Sequence, residues 1–515
     1  MAVAHHRVGS ALVAAALTIM ALPLAAQDVS VFEKKTTVRK LDNGLTIIVM
    51  ERPEAPVFSY ATVVNAGSAN EVAGITGLAH MFEHMAFKGT DAVGTTDIVA
   101  EKKALANVET AYAAYDTERR KPTGSDAAKV AELEKAWHAS MDAASKYVVP
   151  NEFSKIVARS GGVGMNAFTA EDETVYFYSL PSNRFELWAY LESERFLHPV
   201  FREFYKERDV VTEERRMRTE STPVGRLFEE FLPVAFAAHP YGVSGIGWQS
   251  DLAAFSATDA QNFFNKYYVP ANMVVAVVGD VKASEAIPVM EKYFGRLQKK
   301  PLPDPLRTIE PQQHSERSVI LRESSQPIYL EGYHRPAATD PDDAVYEVIS
   351  DVLSKGRTSR LYKSLVRDKK IAAQSAGLNG FPGEKYPNLF VAFAVTTPGH
   401  TALDMAEPIH AELERLKTED IPADELQSVK TRAKADLLRQ LDNNAGLALN
   451  LAITHTIHGD WRELFRQVDR IDRVTAADIR RVANATFVPT NRTVAMIESA
   501  KTASSPSAPK GGDPK

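Results

Sequence analysis

Apolar residues recur with two different periods along this chain, and the alternation between the periods predicts its elements. Short β-branched and aromatic runs at Lys34 to Leu41, Leu45 to Met50 and Phe58 to Ala66 read as strands, with Asp42-Asn43-Gly44 as the turn between the first two. They precede GLAHMFEHMAFKGT, whose Leu78, Ala79, Met81, Phe82, Met85, Ala86 and Phe87 clothe a helix in apolar and small side chains. Further strand signals fall at Thr174 to Leu180 and Met273 to Val278. A second series then follows. Ser318 to Arg322 and Ile328 to His334 precede a helix over Asp343 to Leu353, and Leu389 to Thr396 and Arg492 to Ile497 close the series as strands. The chain reads as one unit used twice. Helices on one face of a largely antiparallel sheet give an α+β fold in each half.

Three prolines in PLPDP discourage regular structure between the two series. The boundaries expected are a first domain over 27–299, a linker over 300–316 and a second domain over 317–498. From about 96 to 147 the first domain is rich in Ala, Glu, Lys and Leu, broken at Lys121-Pro122-Thr123-Gly124, which predicts two long antiparallel helices joined by a tight turn.

Residues 1–26 read as a secretory signal, with Arg7, an apolar run from Val8 to Leu22 and a cleavage site after Ala26. The run is too short to span a membrane comfortably, so no stable membrane anchor is expected. Absence of cysteine fits an exported bacterial protein whose stability rests on its core, and a periplasmic location is expected. The tail over 499–515 lacks large apolar residues and is expected to be disordered. A net charge of −6, with Lys and Arg dispersed among acids, gives no basic tract for nucleic acid.

The chemistry concentrates in the first long apolar helix. His80 and His84, four apart, project within about 40° of each other, so both imidazoles can reach one metal ion, and Glu83 lies on the adjoining edge. Imidazole pairs suit zinc, and a carboxylate beside a ligand can take a proton from metal-bound water. This H-x-x-E-H order is the inverted zincin motif. Such spacing arises by chance in about 4% of chains of this composition, so the context matters: three polar groups on an otherwise apolar helix need a common partner. A hydrolytic zinc site usually has a third protein ligand. KERDVVTEERRMRTE offers Glu207, Glu213, Glu214 and Glu220, of which Glu207 and Glu214 are two helical turns apart on one face.

At these residues the chain resembles the pitrilysin/insulinase-type zinc peptidases, and within them the branch of the catalytic β-subunit of mitochondrial processing peptidase and its bacterial periplasmic relatives. LDNGLTIIV, GMNAFTAEDETVYFYSLP, ERDVVTEERRM, HPYG, YYVPANMVVAVVGDV and GRTSRLYKSLVRDKK carry the likeness, in order, across nearly the whole mature chain. The resemblance implies two homologous α/β-roll domains, the second without the motif, forming half of a clam-like shell. It implies one Zn2+ per chain held by His80, His84 and Glu214, with Glu83 as general base and Glu207 supporting the site. Asn166, Ala167 and Phe168 match a strand that pairs with an extended peptide substrate. The implied function is zinc-dependent endopeptidase action on peptides or unfolded segments; a non-catalytic scaffold subunit of the same fold is the alternative.

Two departures stand out. The third ligand lies 130 residues after His84, a gap lengthened by the predicted hairpin. Related enzymes also carry a substrate-contacting Arg and Tyr seven apart, where this chain has Arg367 and Gln374. The implied partner is therefore a non-catalytic paralogue that supplies the Arg/Tyr pair, in a heterodimer, with a homodimer as the alternative.

Overall fold

The computed structural model describes residues 29–499. The segment expected to be a signal, and the tail from residue 500 onward, lie outside the described residues. Among the described residues no helix is long and apolar enough to cross a membrane.

Among the described residues, eleven strands form two sheets. β1 (Thr36–Lys40), β2 (Thr46–Glu51), β3 (Val57–Val64), β4 (Val163–Thr169), β5 (Thr174–Pro181) and β6 (Met273–Gly279) make the first, in the order β1-β2-β6-β3-β5-β4. β7 (Arg317–Glu323), β8 (Ile328–Arg335), β9 (Ala372–Phe381), β10 (Asn388–Thr396) and β11 (Arg492–Ser499) make the second, in the order β7-β11-β8-β10-β9. Omitting β1, the two orders superpose: β2 runs parallel to β6 as β7 does to β11, and every other pairing is antiparallel. The repeated unit read from the sequence is thus visible in the topology.

Each half lays its own helices on one face of its sheet. The opposite face is covered by a helix from the other half, which the periodicity did not reveal. Helix Asn444–His458, late in the chain, packs Leu447, Ala448, Leu451 and Ala452 against Ile48, Met50, Ala61, Val63, Ala276 and Val278 of the first sheet. Reciprocally, helix Pro223–Ala235 sets Leu227, Phe231, Leu232 and Ala235 on Ile328, Leu330, Leu389, Val391 and Ile497 of the second. Central strands are consequently apolar on both sides, as β6 is along its whole length. No regular element occurs over 300–316.

A second tie between the halves centres on Asp172. Its carboxylate accepts from Tyr241 Oη at 2.7 Å and, across the junction, from the backbone N–H groups of Glu384 at 2.8 Å and Lys385 at 3.0 Å.

The predicted hairpin forms helices Ile98–Arg119 and Ala127–Ser145, each started by an aspartate. Asp97 accepts from the N–H groups of Val99 and Ala100, and Asp126 from those of Ala128 and Lys129. Tyr112 and Trp137, one from each helix, pack against Tyr205 with ring centroids 4.4 and 5.2 Å away, and this aromatic contact docks the hairpin on the first half.

Candidate metal centre

The motif helix, Leu78–Met85, begins at Gly77, whose φ of +90° suits glycine; a Cβ there would strike the Ile246 carbonyl. No side chain of Gly77 can cap the helix, so the buried Glu71 does so, accepting from Gly77 N–H at 2.8 Å and Ala79 N–H at 2.6 Å. Leu78, Met81, Phe82 and Met85 sink into the core, where Phe82 meets Phe201, Phe263, Phe264 and Tyr268. That anchoring turns His80, Glu83 and His84 toward helix Phe204–Arg215 and the end of β4.

Helix Phe204–Arg215 is held in register by its own buried side, Phe204, Tyr205, Arg208, Val211 and Arg215. Its other side carries the carboxylates. Glu214 Oε1 lies 3.6 Å from His80 Nε2, and Glu214 Oε2 lies 3.4 Å from His84 Nε2. Glu213, the neighbouring candidate, points outward and pairs with Arg216 at 2.8 Å. Glu220 lies beyond and pairs with Arg215 at 3.4 Å. Glu83 Oε2 stands 4.0 Å from His80 Nε2, and Glu207 Oε2 stands 3.4 Å from His84 Nδ1.

His80, His84 and Glu214 offer donor atoms that all lie within 4.8 Å of one another. In a tetrahedral zinc site with bonds of about 2.0–2.1 Å, ligand atoms stand ~3.3 Å apart. The two imidazole–carboxylate separations are close to that spacing, so the residues fit the ion. Two imidazoles and one carboxylate also form a donor set typical of catalytic zinc.

Burial and neighbouring charge act differently on the two imidazoles. Burial, reinforced by His84 and Arg218 and opposed by Glu214, brings the His80 pKa down to about 4, so its ring is neutral at pH 7 and has a free nitrogen lone pair. For His84, burial is outweighed by Glu207 and then Glu214, and its pKa is raised. Burial lifts the Glu83 carboxyl above its ordinary value, against the pull of His84 and a hydrogen bond from Thr169. Glu207 moves the other way: burial would raise it, but hydrogen bonds from His84 and Lys88 win and hold it low.

Lys88 and Arg218 are parts of this site that the sequence reading did not single out. Lys88 Nζ pairs with Glu207 Oε1, and Arg218 Nη1 lies 2.7 Å from Glu214 Oε1. Lys88 lies in the loop just past the motif helix, four residues after His84, and that closeness along the chain is the signal that could have found it.

Profiles of two family parts match the chain: Insulinase (Peptidase family M16) over residues 46–118, and Peptidase M16 inactive domain over residues 254–433. The zinc protease PqqE of Helicobacter pylori is 29% identical over 473 residues, covering 89% of this chain and 91% of that protein. The crystal structure of a protease from Helicobacter pylori superposes with a TM-score of 0.74 at 27% identity, covering 90% of this chain and 99% of that one. By these matches the chain is similar to the M16 peptidases. A probable mitochondrial-processing peptidase subunit beta of Arabidopsis thaliana is also similar, 22% identical over 87% of this chain and 76% of that protein.

The remaining sequence candidates fall in two places. Asn166, Ala167 and Phe168 lie on β4, which among the described residues pairs only with β5 and forms an edge of the first sheet beside the motif helix. Asn166 is exposed there. Arg367 lies in the second half, in the helical turn Tyr362–Asp368, where it is exposed and pairs with Asp368 at 2.6 Å. It lines a separate cavity of about 640 Å³ with Arg360, Lys363, Arg415 and Arg432, to which His80, His84 and Glu214 do not contribute. Gln374 is in β9.

Proposed function

We propose that this chain is a zinc-dependent endopeptidase acting on peptides or unfolded polypeptide segments. The observation that carries the reading is the meeting of His80, His84 and Glu214 around one point, with Glu83 beside it. Zinc held by these three residues supplies Lewis acidity, polarising the scissile carbonyl and easing deprotonation of the attacking water near neutral pH.

Glu83 takes the proton of the attacking water on its carboxylate and passes it to the leaving amine as the C–N bond breaks. Its pKa, raised by burial, strengthens the carboxylate as a base toward that proton. No covalent intermediate is required. Glu207 orients the His84 ring by accepting from Nδ1. The open edge of β4 supplies backbone groups for an extended substrate, so main-chain pairing binds the peptide and selects for unfolded segments.

A periplasmic location and a heterodimer with a paralogue carrying the Arg/Tyr pair are further parts of this proposal. They rest on the signal-like start of the sequence and on Gln374 standing where relatives carry tyrosine.

Glu83→Gln tests the reading. Zinc content should stay at one ion per chain while cleavage of a quenched fluorescent peptide falls by at least about 100-fold. Near-normal turnover by that variant would remove Glu83 from the mechanism.

A further inference from the structure

Arg202 is a fully buried cation whose five N–H groups are all engaged. Its Nε and Nη2 grip Glu101 at 2.8 and 3.1 Å; its remaining contacts are the backbone carbonyls of Lys88 and Val93, through Nη1 at 2.8 and 2.9 Å, and of Thr90, through Nη2 at 2.8 Å. Glu101 is itself fully buried and belongs to the first helix of the inserted hairpin. The loop after the motif helix wraps this guanidinium closely. Gly89 and Gly94 have φ of +98° and +93°, and a Cβ on either would collide with Arg202.

The same loop carries Lys88. With its backbone carbonyl fixed by Arg202, its Nζ lies between two carboxylates of helix Phe204–Arg215: Glu207, and Glu203 at 3.2 Å. Glu203, at the start of that helix, holds a φ of +56°, an uncommon conformation for a glutamate. Glu203 and Glu207 are one turn apart, so without a cation between them they would repel. Glu207 is the carboxylate that meets His84 Nδ1.

We propose that the hairpin is a brace for the metal centre: Glu101 and Arg202 fix Lys88, and Lys88 is a positioning residue that holds Glu207 against His84. The proposal rests on the reading of His80, His84 and Glu214 as zinc ligands. It gives the hairpin a task in metal binding, whereas a surface elaboration would leave zinc affinity untouched.

The sign of the effect separates the two possibilities. Removing a cation close to a divalent ion would, by relief of Coulomb repulsion alone, tighten zinc binding. A loss of affinity therefore reports the lost hold on Glu207. The experiment measures zinc affinity of the full chain by competition with a chromophoric chelator, alongside thermal unfolding of the metal-free protein. Lys88→Met should weaken zinc about 10-fold or more, and Lys88→Arg should recover most of that loss. In a Glu207→Gln background, Lys88→Met should cause no further loss, because the two act through one contact.

Glu101→Gln should weaken zinc when Lys88 is present and have no effect on zinc when Lys88 is Met. If Glu101→Gln does not fold, Glu101→Asp, which keeps the charge and shortens the reach, takes its place. Zinc binding by Lys88→Met as tight as, or tighter than, that of the unchanged chain overturns the proposal. So does a Glu101 variant that melts earlier yet binds zinc unchanged. His80→Ala distinguishes the deeper failure: if it also leaves zinc affinity intact, the ligand assignment itself is wrong.

Discussion

Glu207 reaches His84 from the opposite side of the imidazole to Glu214: its Oε2 lies 3.4 Å from Nδ1, while Glu214 Oε2 lies 3.4 Å from Nε2. The ring is thus fixed at both nitrogens by one helix, whose two carboxylates stand seven positions apart. Glu207→Gln keeps the shape of the contact but loses its charge, and should lower zinc affinity about 10- to 100-fold. Glu214→Gln and His80→Ala remove ligands and should lower it further, whereas Glu213→Gln, on an exposed residue, should leave zinc bound. Isothermal titration with zinc on the four variants orders them. If Glu213→Gln released the metal and Glu214→Gln did not, the ligand register would be off by one.

Glu71 caps the motif helix through two backbone N–H groups although Gly77 occupies the capping position. Glu71→Ala should cost about 1–2 kcal/mol of stability and lower zinc affinity, because His80 and His84 stand on the helix it starts. Denaturant unfolding and zinc titration on one preparation check both effects. Loss of stability with no change in zinc affinity would show that the helix start and the metal centre are uncoupled.

The junction between the halves should soften as pH rises. Burial, then the neighbouring Asp172 and Glu384, pushes Glu173 up to about 8, and burial, then Asp343 and Asp172, pushes Glu384 up to about 7. Between their ordinary value near 4.5 and these raised values the folded chain binds more protons than the unfolded one, so stability falls with increasing pH. The contribution is complete below about pH 4.5 and is lost as pH climbs through about 8. Melting temperature should decline across that window, and Glu173→Gln should flatten the decline. An unchanged slope in the variant would remove Glu173 from the effect.

Leu451 is fully buried between helix Asn444–His458 and the first sheet. Leu451→Ala should cost about 2–5 kcal/mol, and the first half expressed alone should expose the apolar face that this helix covers. Dye binding to exposed apolar surface measures the second outcome. A soluble, non-binding first half would mean that the face finds another cover.

The ligand helix, the hairpin and the repeat were legible in the sequence because each depends on local period. His80, Glu83 and His84 share a face by helical spacing alone, and Lys121 to Gly124 marks a turn between two strong helix formers. The choice of Glu214 over Glu213 follows from which side of helix Phe204–Arg215 is buried, and the family pattern already pointed there.

Tertiary structure alone decided the rest. That Lys88 pairs with Glu207, that Arg202 closes on Glu101, and that each half lends a helix to the other's sheet are contacts between segments far apart in the chain. Period and propensity describe neighbours along the backbone, and a buried charge declares its partner only when the fold brings that partner within a few ångströms. The sequence determined which groups could bind a metal; packing of the motif helix against a helix more than a hundred residues away determined that they converge.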